Sequence, residues 1–195
     1  MGKQNKITAA ILAGGKSLRF GSSKLEALFK GRSLLDRALH NASAISETVM
    51  IIGENENTKK QSAFSVYGDI YKNKGPLAGV HTALFYTKTE VVAVLPVDMP
   101  FLTAEIYTHL LTFYTNDKPL AAESDAGLEP LVSLWPAHFL PEIENCLKRD
   151  RLGLFKCWES WDAQRVDCTE AGSGFNRRIF TNINRPSDLS EAFLY

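Results

Sequence analysis

The chain has 195 residues, 45% hydrophobic and 23% charged, which suits one domain spanning residues 1–195 with a sizeable core and excludes a disordered polypeptide. Its 22 basic and 22 acidic residues cancel, so nothing electrostatic favours wholesale binding of nucleic acid or of an anionic membrane. Cys146, Cys157 and Cys168 form no C-x-x-C pair, and His40, His81, His109 and His138 lack metal-ligand spacing, which argues against a disulfide framework or a zinc site. No apolar run is long enough for a membrane span, and Met1 to Lys6 is polar with no signal-peptide core behind it. The expected location is the cytoplasm.

In chain order, the pattern alternates apolar strand and helical segment. Ile7 to Ala13 reads as a buried strand, and Leu34 to Ala44 carries Leu34, Leu35, Ala38, Leu39 and Ala42 at helical spacing. Thr48 to Ile52 is a β-branched strand ending at Gly53, followed by a polar surface stretch from Glu54 to Gln61. Phe64 to Ile70 is a weaker strand with a turn around Gly68-Asp69. Leu77 to Tyr86 reads as helix, with Pro76 in its first turn, where a missing N–H costs nothing. Val91 to Leu95, apolar throughout, fits a parallel strand covered on both faces. Ala104 to Tyr114 is helical with Thr103 as N-cap. Leu120 to Ser124 and Leu131 to Trp135 flank the turn Asp125-Ala126-Gly127; Pro141 to Lys148 and Leu154 to Trp161 read as helices, and Val166 as part of a strand. The alternation predicts a three-layer α/β fold around a mostly parallel central sheet.

The first strand gives way at once to Gly14-Gly15-Lys16-Ser17-Leu18-Arg19-Phe20-Gly21-Ser22-Ser23-Lys24. Glycines let an anion approach main-chain amides, and successive amides in a turn form an anion-binding concavity. Lys16, Arg19 and Lys24 add full charges, Arg19 as a planar fork and Lys24 as a mobile point charge. Together these suit a nucleoside triphosphate; the plainer alternative is a tight turn with solvated cations. The loop is not a P-loop, because the first glycine of G-x-x-x-x-G-K-[ST] falls on Ala10, and Gly14, Gly15 and Gly21 lack dinucleotide-fingerprint spacing.

In open α/β sheets ligands sit beyond the carboxyl ends of the strands. Two more clusters fall there. Asp98 follows the central strand; a carboxylate at a buried strand end needs a cation or hydrogen bonds, and Mg²⁺ typically uses one or two carboxylates plus phosphate oxygens and water. The alternative is a turn residue ahead of Pro100. Asn182 and Asn184 share one face of an extended segment and offer paired donors and acceptors, unless they are turn residues before Pro186. Gly75-Pro76-Leu77-Ala78-Gly79 opens a helix whose amides face a phosphate or the base and ribose, or else simply packs tightly on the sheet. Asp69 is a ribose or base acceptor, or a turn residue. Pro186 as first residue of the last helix places Arg185 at its N-cap, poorer by roughly 1 kcal/mol than Ser or Thr; the compensation is that Arg185 serves an anion instead.

These segments together resemble the molybdenum cofactor guanylyltransferases, within the wider nucleotide-sugar-type nucleotidyltransferase fold. Leu12 to Gly21 is similar to that family's opening signature, and Gly75 to Gly79 and Val97 to Leu102 to its next two blocks; Glu129 to Trp135 and Asn182 to Leu189 resemble later, more family-specific ones. The resemblance implies a Rossmann-like nucleotidyltransferase fold and transfer of GMP from GTP to the terminal phosphate of molybdenum-molybdopterin, with release of pyrophosphate. It implies nucleotide contacts from Leu12, Ala13, Gly14 and Lys24, with Asp69 as nucleotide-binding carboxylate, Mg²⁺ on Asp98, and Asn182 and Asn184 on the molybdopterin side; Gly15, Gly75 and Gly79 join the binding set. Cofactor-delivery or molybdoenzyme-maturation proteins are the implied partners. Arg19, Lys24 and Asp98 form the expected catalytic set, acting by direct displacement.

Departures from the family pattern are Phe20 for Met, Ser23 before Lys24 for an acidic residue, Val97 for Cys, Arg185 for Thr, and Gly53 for a strand-end Asn, with Asn55 two residues on as the candidate replacement. The opening loop fits a cytidylyl- or uridylyltransferase of a sugar or polyol phosphate equally well, and also a non-catalytic nucleotide-binding partner.

Overall fold

A computed structural model describes residues 7–14, 24–53 and 64–193. Its central sheet has seven strands: β1 (Ile7–Leu12), β4 (Thr48–Ile52), β5 (Ser65–Tyr67), β6 (Val91–Pro96), β7 (Leu120–Ser124), β8 (Gly127–Pro136) and β9 (Gln164–Asp167), in the spatial order β5-β4-β1-β6-β8-β7-β9. Four neighbouring pairs run parallel and the two made by β8 run antiparallel, so the sheet is mostly parallel as expected. A two-stranded hairpin of β2 (Leu28–Phe29) and β3 (Arg32–Ser33) stands apart from it.

Strand side chains alternate between faces, and this divides the core in two. Ala9, Ile11, Val49, Ile51, Ala93 and Leu95 pack on one face against α1 (Leu34–Ile45) and α3 (Ala104–Phe113). Ala10, Met50, Ile52, Val92 and Val94 pack on the other against α2 (Pro76–Tyr86), α4 (Leu140–Lys148) and α5 (Leu154–Ser160). Such double burial explains why β6 is apolar from end to end. The remaining helices are α6 (Glu170–Ser173) and α7 (Pro186–Phe193).

Several expected boundaries shift. The weak strand contracts to Ser65–Tyr67, while the strand expected at Leu131 extends over Gly127–Pro136. Thr103 has the extended backbone of an N-cap, but its hydroxyl makes no capping bond; the first turn of α3 closes instead through Ile106 N–H to the Thr103 carbonyl at 3.3 Å. The stretch from Glu54 to Gln61, including Asn55, lies outside the described residues.

Leu12 is paired with both Ile52 and Pro96, and Ile52 with Tyr67, so four strands end at one level. Beyond that level Ala13 N–H bonds the Ile52 carbonyl at 2.8 Å and Gly53 N–H bonds the Tyr67 carbonyl at 2.8 Å. The chain after β1 therefore crosses directly over the end of β4. A Cβ on Gly53 would lie 2.8 Å from Ala13 C and from Gly14 N, and φ there is +154°. A strand-end Asn at this position is incompatible with such a close crossing. Gly53→Ala is expected to destabilise the fold by about 1–3 kcal/mol, because backbone and not a flexible side chain must give way. Urea unfolding checks this: the midpoint should fall at constant m, and an unchanged midpoint would show that the crossing has room.

Candidate active site

Lys24 is set by a 3-10 turn, Lys24–Glu26, which Leu25 anchors in the core on the α1 face. Asp98 is the half-exposed residue in a buried run, flanked by Val97 and Met99. Ile183, fully buried, donates its N–H to the Asp98 carbonyl at 2.8 Å and so pins the C-terminal loop to the end of β6. The side chains then converge: Lys24 Nζ donates to Asp98 Oδ2 at 2.9 Å and to Asn184 Oδ1 at 3.3 Å. The Lys24 and Asp98 side chains are 15% and 25% exposed, open enough to meet a ligand and covered enough to weaken water's competition.

A second group lies on the β5 side of β1. Ideal Cβ atoms on Gly14 and Gly79 would sit 3.8 Å from Asp69 Oδ2 and Oδ1 respectively, so the carboxylate lies between two backbones without side chains. Its turn is fixed by Thr82 Oγ1, which accepts from Ile70 N–H at 3.1 Å and donates to the Ala78 carbonyl at 2.9 Å. Gly79 also lets α2 approach Leu12, whose Cδ2 would be 3.2 Å from an added Cβ. Gly75 has φ +70° with open space around it; its glycine serves the turn into α2, not a close approach.

Thus Lys24, Asp98 and Asn184 form one cluster, and Leu12, Gly14, Asp69 and Gly79 a second, with Ala13 between Leu12 and Gly14 in the chain. Asn182 and Asn184 are both exposed and flank the buried Ile183 in a segment that is not a strand. Gly15, Lys16 and Arg19 lie outside the described residues.

Glu129 was not among the site residues expected from sequence. Ser133 and Glu129 of β8 pair with the adjacent Ala121 and Ala122 of β7, so β8 bulges between them. Bulges re-aim side chains. The Ser133 hydroxyl staples this one by donating to the Pro130 carbonyl at 2.8 Å. Glu129 Oε1 is 2.9 Å from Ser124 Oγ. Burial raises the Glu129 carboxyl above the usual carboxylate range; the Ser124 hydroxyl opposes this and the negative charge of Asp98 adds to it. The sequence signal was a lone acid between Leu128 and Pro130, with nothing in it to say which way the acid faces.

No group of three or more His, Cys, Asp or Glu that could hold a metal occurs among the described residues. Asp98 nevertheless suits Mg²⁺, which needs only one or two protein carboxylates beside phosphate oxygens. Oδ1 of Asp98 has no protein partner among the described residues, and Glu129 adds negative charge nearby.

The segment ahead of α7 is braced by the helix's own first turn. Asp188 Oδ2 accepts from the N–H groups of Asn184 at 2.7 Å and Arg185 at 2.8 Å. This is one half of a capping box, in which the third helical residue holds the N–H groups ahead of the helix. The same bonds hold Asn184 where Lys24 can reach it.

Strand-end glycines, a lysine–carboxylate pair and a carboxylate between two glycines gather at the carboxyl edge of a mixed α/β sheet, the ligand-binding edge of such folds, and the family match makes the chain a nucleotidyltransferase. A family described as the MobA-like NTP transferase domain matches residues 9–164, and the chain belongs to it. Among curated relatives, a probable molybdenum cofactor guanylyltransferase of Deinococcus radiodurans is 34% identical over 95% of this chain and 93% of its own. A molybdenum cofactor guanylyltransferase of Rhizobium leguminosarum bv. trifolii is 30% identical over 97% and 92%. The solved structure of molybdopterin-guanine dinucleotide biosynthesis protein A from Archaeoglobus fulgidus shares the fold, with a TM-score of 0.78 at 24% identity, covering 95% of this chain and 96% of that one. The described residues contain no helix long and apolar enough to cross a membrane.

The two N–H bonds lower the Asp188 carboxyl below its usual range, that from Asn184 most. A depressed folded-state pKa adds stability above the unfolded value of about 3.9, lost as pH falls through the folded value. Asp188→Ala should therefore lower Tm at neutral pH, with the gap to wild type closing below about pH 4. Melting curves across pH 2.5–7 (about, spanning that carboxylate range) check this, and a gap independent of pH would remove the ionised carboxylate from the cap.

Proposed function

We propose that the protein transfers GMP from GTP to the terminal phosphate of molybdenum-molybdopterin, releasing pyrophosphate, in the cytoplasm. The observation that carries this is the Lys24 contact with Asp98 on β6 and Asn184 in the C-terminal loop, which joins the nucleotide end of the sheet to the segment that would face the acceptor. The family and the named relatives support the choice of guanylyl transfer.

The Ala13 and Gly14 backbone would seat the triphosphate, and Asp69 would accept from ribose hydroxyls or base N–H groups. The attacking acceptor oxygen is already anionic, so its attack on the α-phosphorus needs no strong general base. Repulsion between two anions is the main obstacle. Lys24, held by Asp98 and Asn184, places a cation at that point before substrate arrives, so little reorganisation is needed. Arg19 would add its fork to the leaving pyrophosphate. Asn182 and Asn184 would orient the acceptor. Mg²⁺ held by Asp98 would supply Lewis-acid neutralisation of phosphate charge.

The test is GTP with Mg²⁺ and purified molybdopterin acceptor, with mass analysis of the product and ATP, CTP and UTP in parallel. A guanine dinucleotide formed from GTP alone is expected; CMP or UMP transfer, or tight GTP binding without transfer, would overturn the reading. Asp98→Asn and Lys24→Ala should each lower kcat by roughly 10²–10³ while unfolding stays cooperative. Wild-type turnover in either variant, across a Mg²⁺ titration for the first, would remove that residue from the chemistry.

A further inference from the structure

Lys24 claims one oxygen of Asp98 and leaves the other. Its Nζ donates to Asp98 Oδ2 at 2.9 Å, while Oδ1 has no protein partner among the described residues. Both oxygens belong to one carboxylate, so a divalent cation on Oδ1 would stand within a few ångströms of the ammonium on Oδ2. The two side chains are only 15% and 25% exposed, and water screens that repulsion poorly. The ammonium is also anchored. Asn184 Oδ1 accepts from it at 3.3 Å, the Asn184 backbone is tied to Asp188, and buried Leu25 fixes the turn that carries Lys24.

The charge beside this pair is otherwise negative, since Glu129 lies near enough to Asp98 for the two carboxylates to feel each other. Without the ammonium such a corner attracts a divalent cation unaided. With it, the Asp98 charge is already met. A triphosphate alters the balance, because its oxygens can face both cations at once. Mg²⁺ commonly takes phosphate oxygens beside one or two carboxylates, and an ammonium with two bonds made has a third N–H to give.

We propose that Lys24 makes cation binding at Asp98 conditional on the nucleotide: it disfavours a bare divalent cation and admits the cation together with a triphosphate. Lys24 thereby couples two ligands, in addition to its part in the transfer. Coupling is reciprocal, so each ligand strengthens the binding of the other through this residue. The proposal rests on the transfer reaction and the Mg²⁺ assignment above, and adds an order of assembly to them.

The probe is Mn²⁺ added to nucleotide-free protein, with free Mn²⁺ read by electron paramagnetic resonance. Wild type and Lys24→Arg should bind it weakly, and Lys24→Met and Lys24→Gln about tenfold more tightly, within the ordinary range of coupling between sites. Lys24→Gln keeps a polar side chain and guards against a folding failure of Lys24→Met. Adding Asp98→Asn to either neutral variant should abolish the gain. In a second measurement, calorimetry gives the ratio of GTP affinities with and without Mn²⁺. That ratio should be at least about fivefold larger in wild type than in the neutral variants. Equal Mn²⁺ affinity in wild type and both neutral variants, a gain that survives Asp98→Asn, or equal GTP ratios would each overturn the proposal. No part of the test needs the acceptor. If wild type transfers no GMP while the neutral variants gain Mn²⁺ affinity, the reaction fails and the coupling stands; GMP transfer without that gain fails the coupling alone.

Discussion

Four parallel strands that end at one level set up everything above them. Because Leu12, Ile52, Pro96 and Tyr67 stand in register, the segments leaving β1, β4, β5 and β6 emerge side by side. Their first amides must still be paired, and the bonds from Ala13 to Ile52 and from Gly53 to Tyr67 do this by carrying one strand's exit over the next strand's end. Gly53 is the cost of that crossing, since backbone occupies the space a side chain would need. Chemistry on the exits inherits the rigidity of the sheet, which suits displacement at phosphorus, where positioning supplies much of the rate.

The site closes over long stretches of chain. Lys24 lies near the start, Asp98 in the middle and Asn184 near the end, and one ammonium touches both of the others. Such contacts form only when the whole sheet is assembled. The final segment is held by three backbone groups: Ile183 on the Asp98 carbonyl, and Asn184 and Arg185 on Asp188. Asn184 is therefore presented by a loop with little freedom, despite its exposure.

Much of this was legible in the sequence because buried parallel strands are apolar on both faces. β1, β4 and β6 stood out for that reason, and α2 through its proline and the small residues that press it on Leu12. Asp98 and the opening glycines were legible because they follow such strands. The hairpin of β2 and β3 was not, since two-residue strands carry no period and its turn, Lys30-Gly31 with φ of 48° and 77°, lacks the Asn-Gly or Asp-Gly signal. Glu129 was missed because its direction depends on a bulge, a property of pairing and not of spacing. The brace ahead of α7 was not legible from Arg185, since the carboxylate that holds its N–H lies three residues on.

Three departures from ordinary local preference lie at the carboxyl edge of the sheet. Gly53 ends a buried strand, Glu129 sits half-buried within reach of another negative charge, and Arg185 precedes a helix it cannot cap. Elsewhere Ser33 caps α1 through the Asp36 N–H and the Trp135 indole N–H meets the Ser133 hydroxyl at 2.8 Å, while Lys30, Asp150 and Asp162 take positive φ in turns. Lys24, part-buried, is held through Asp98 and Asn184, whereas the charge of Arg185 is exposed and only its backbone is held, by Asp188.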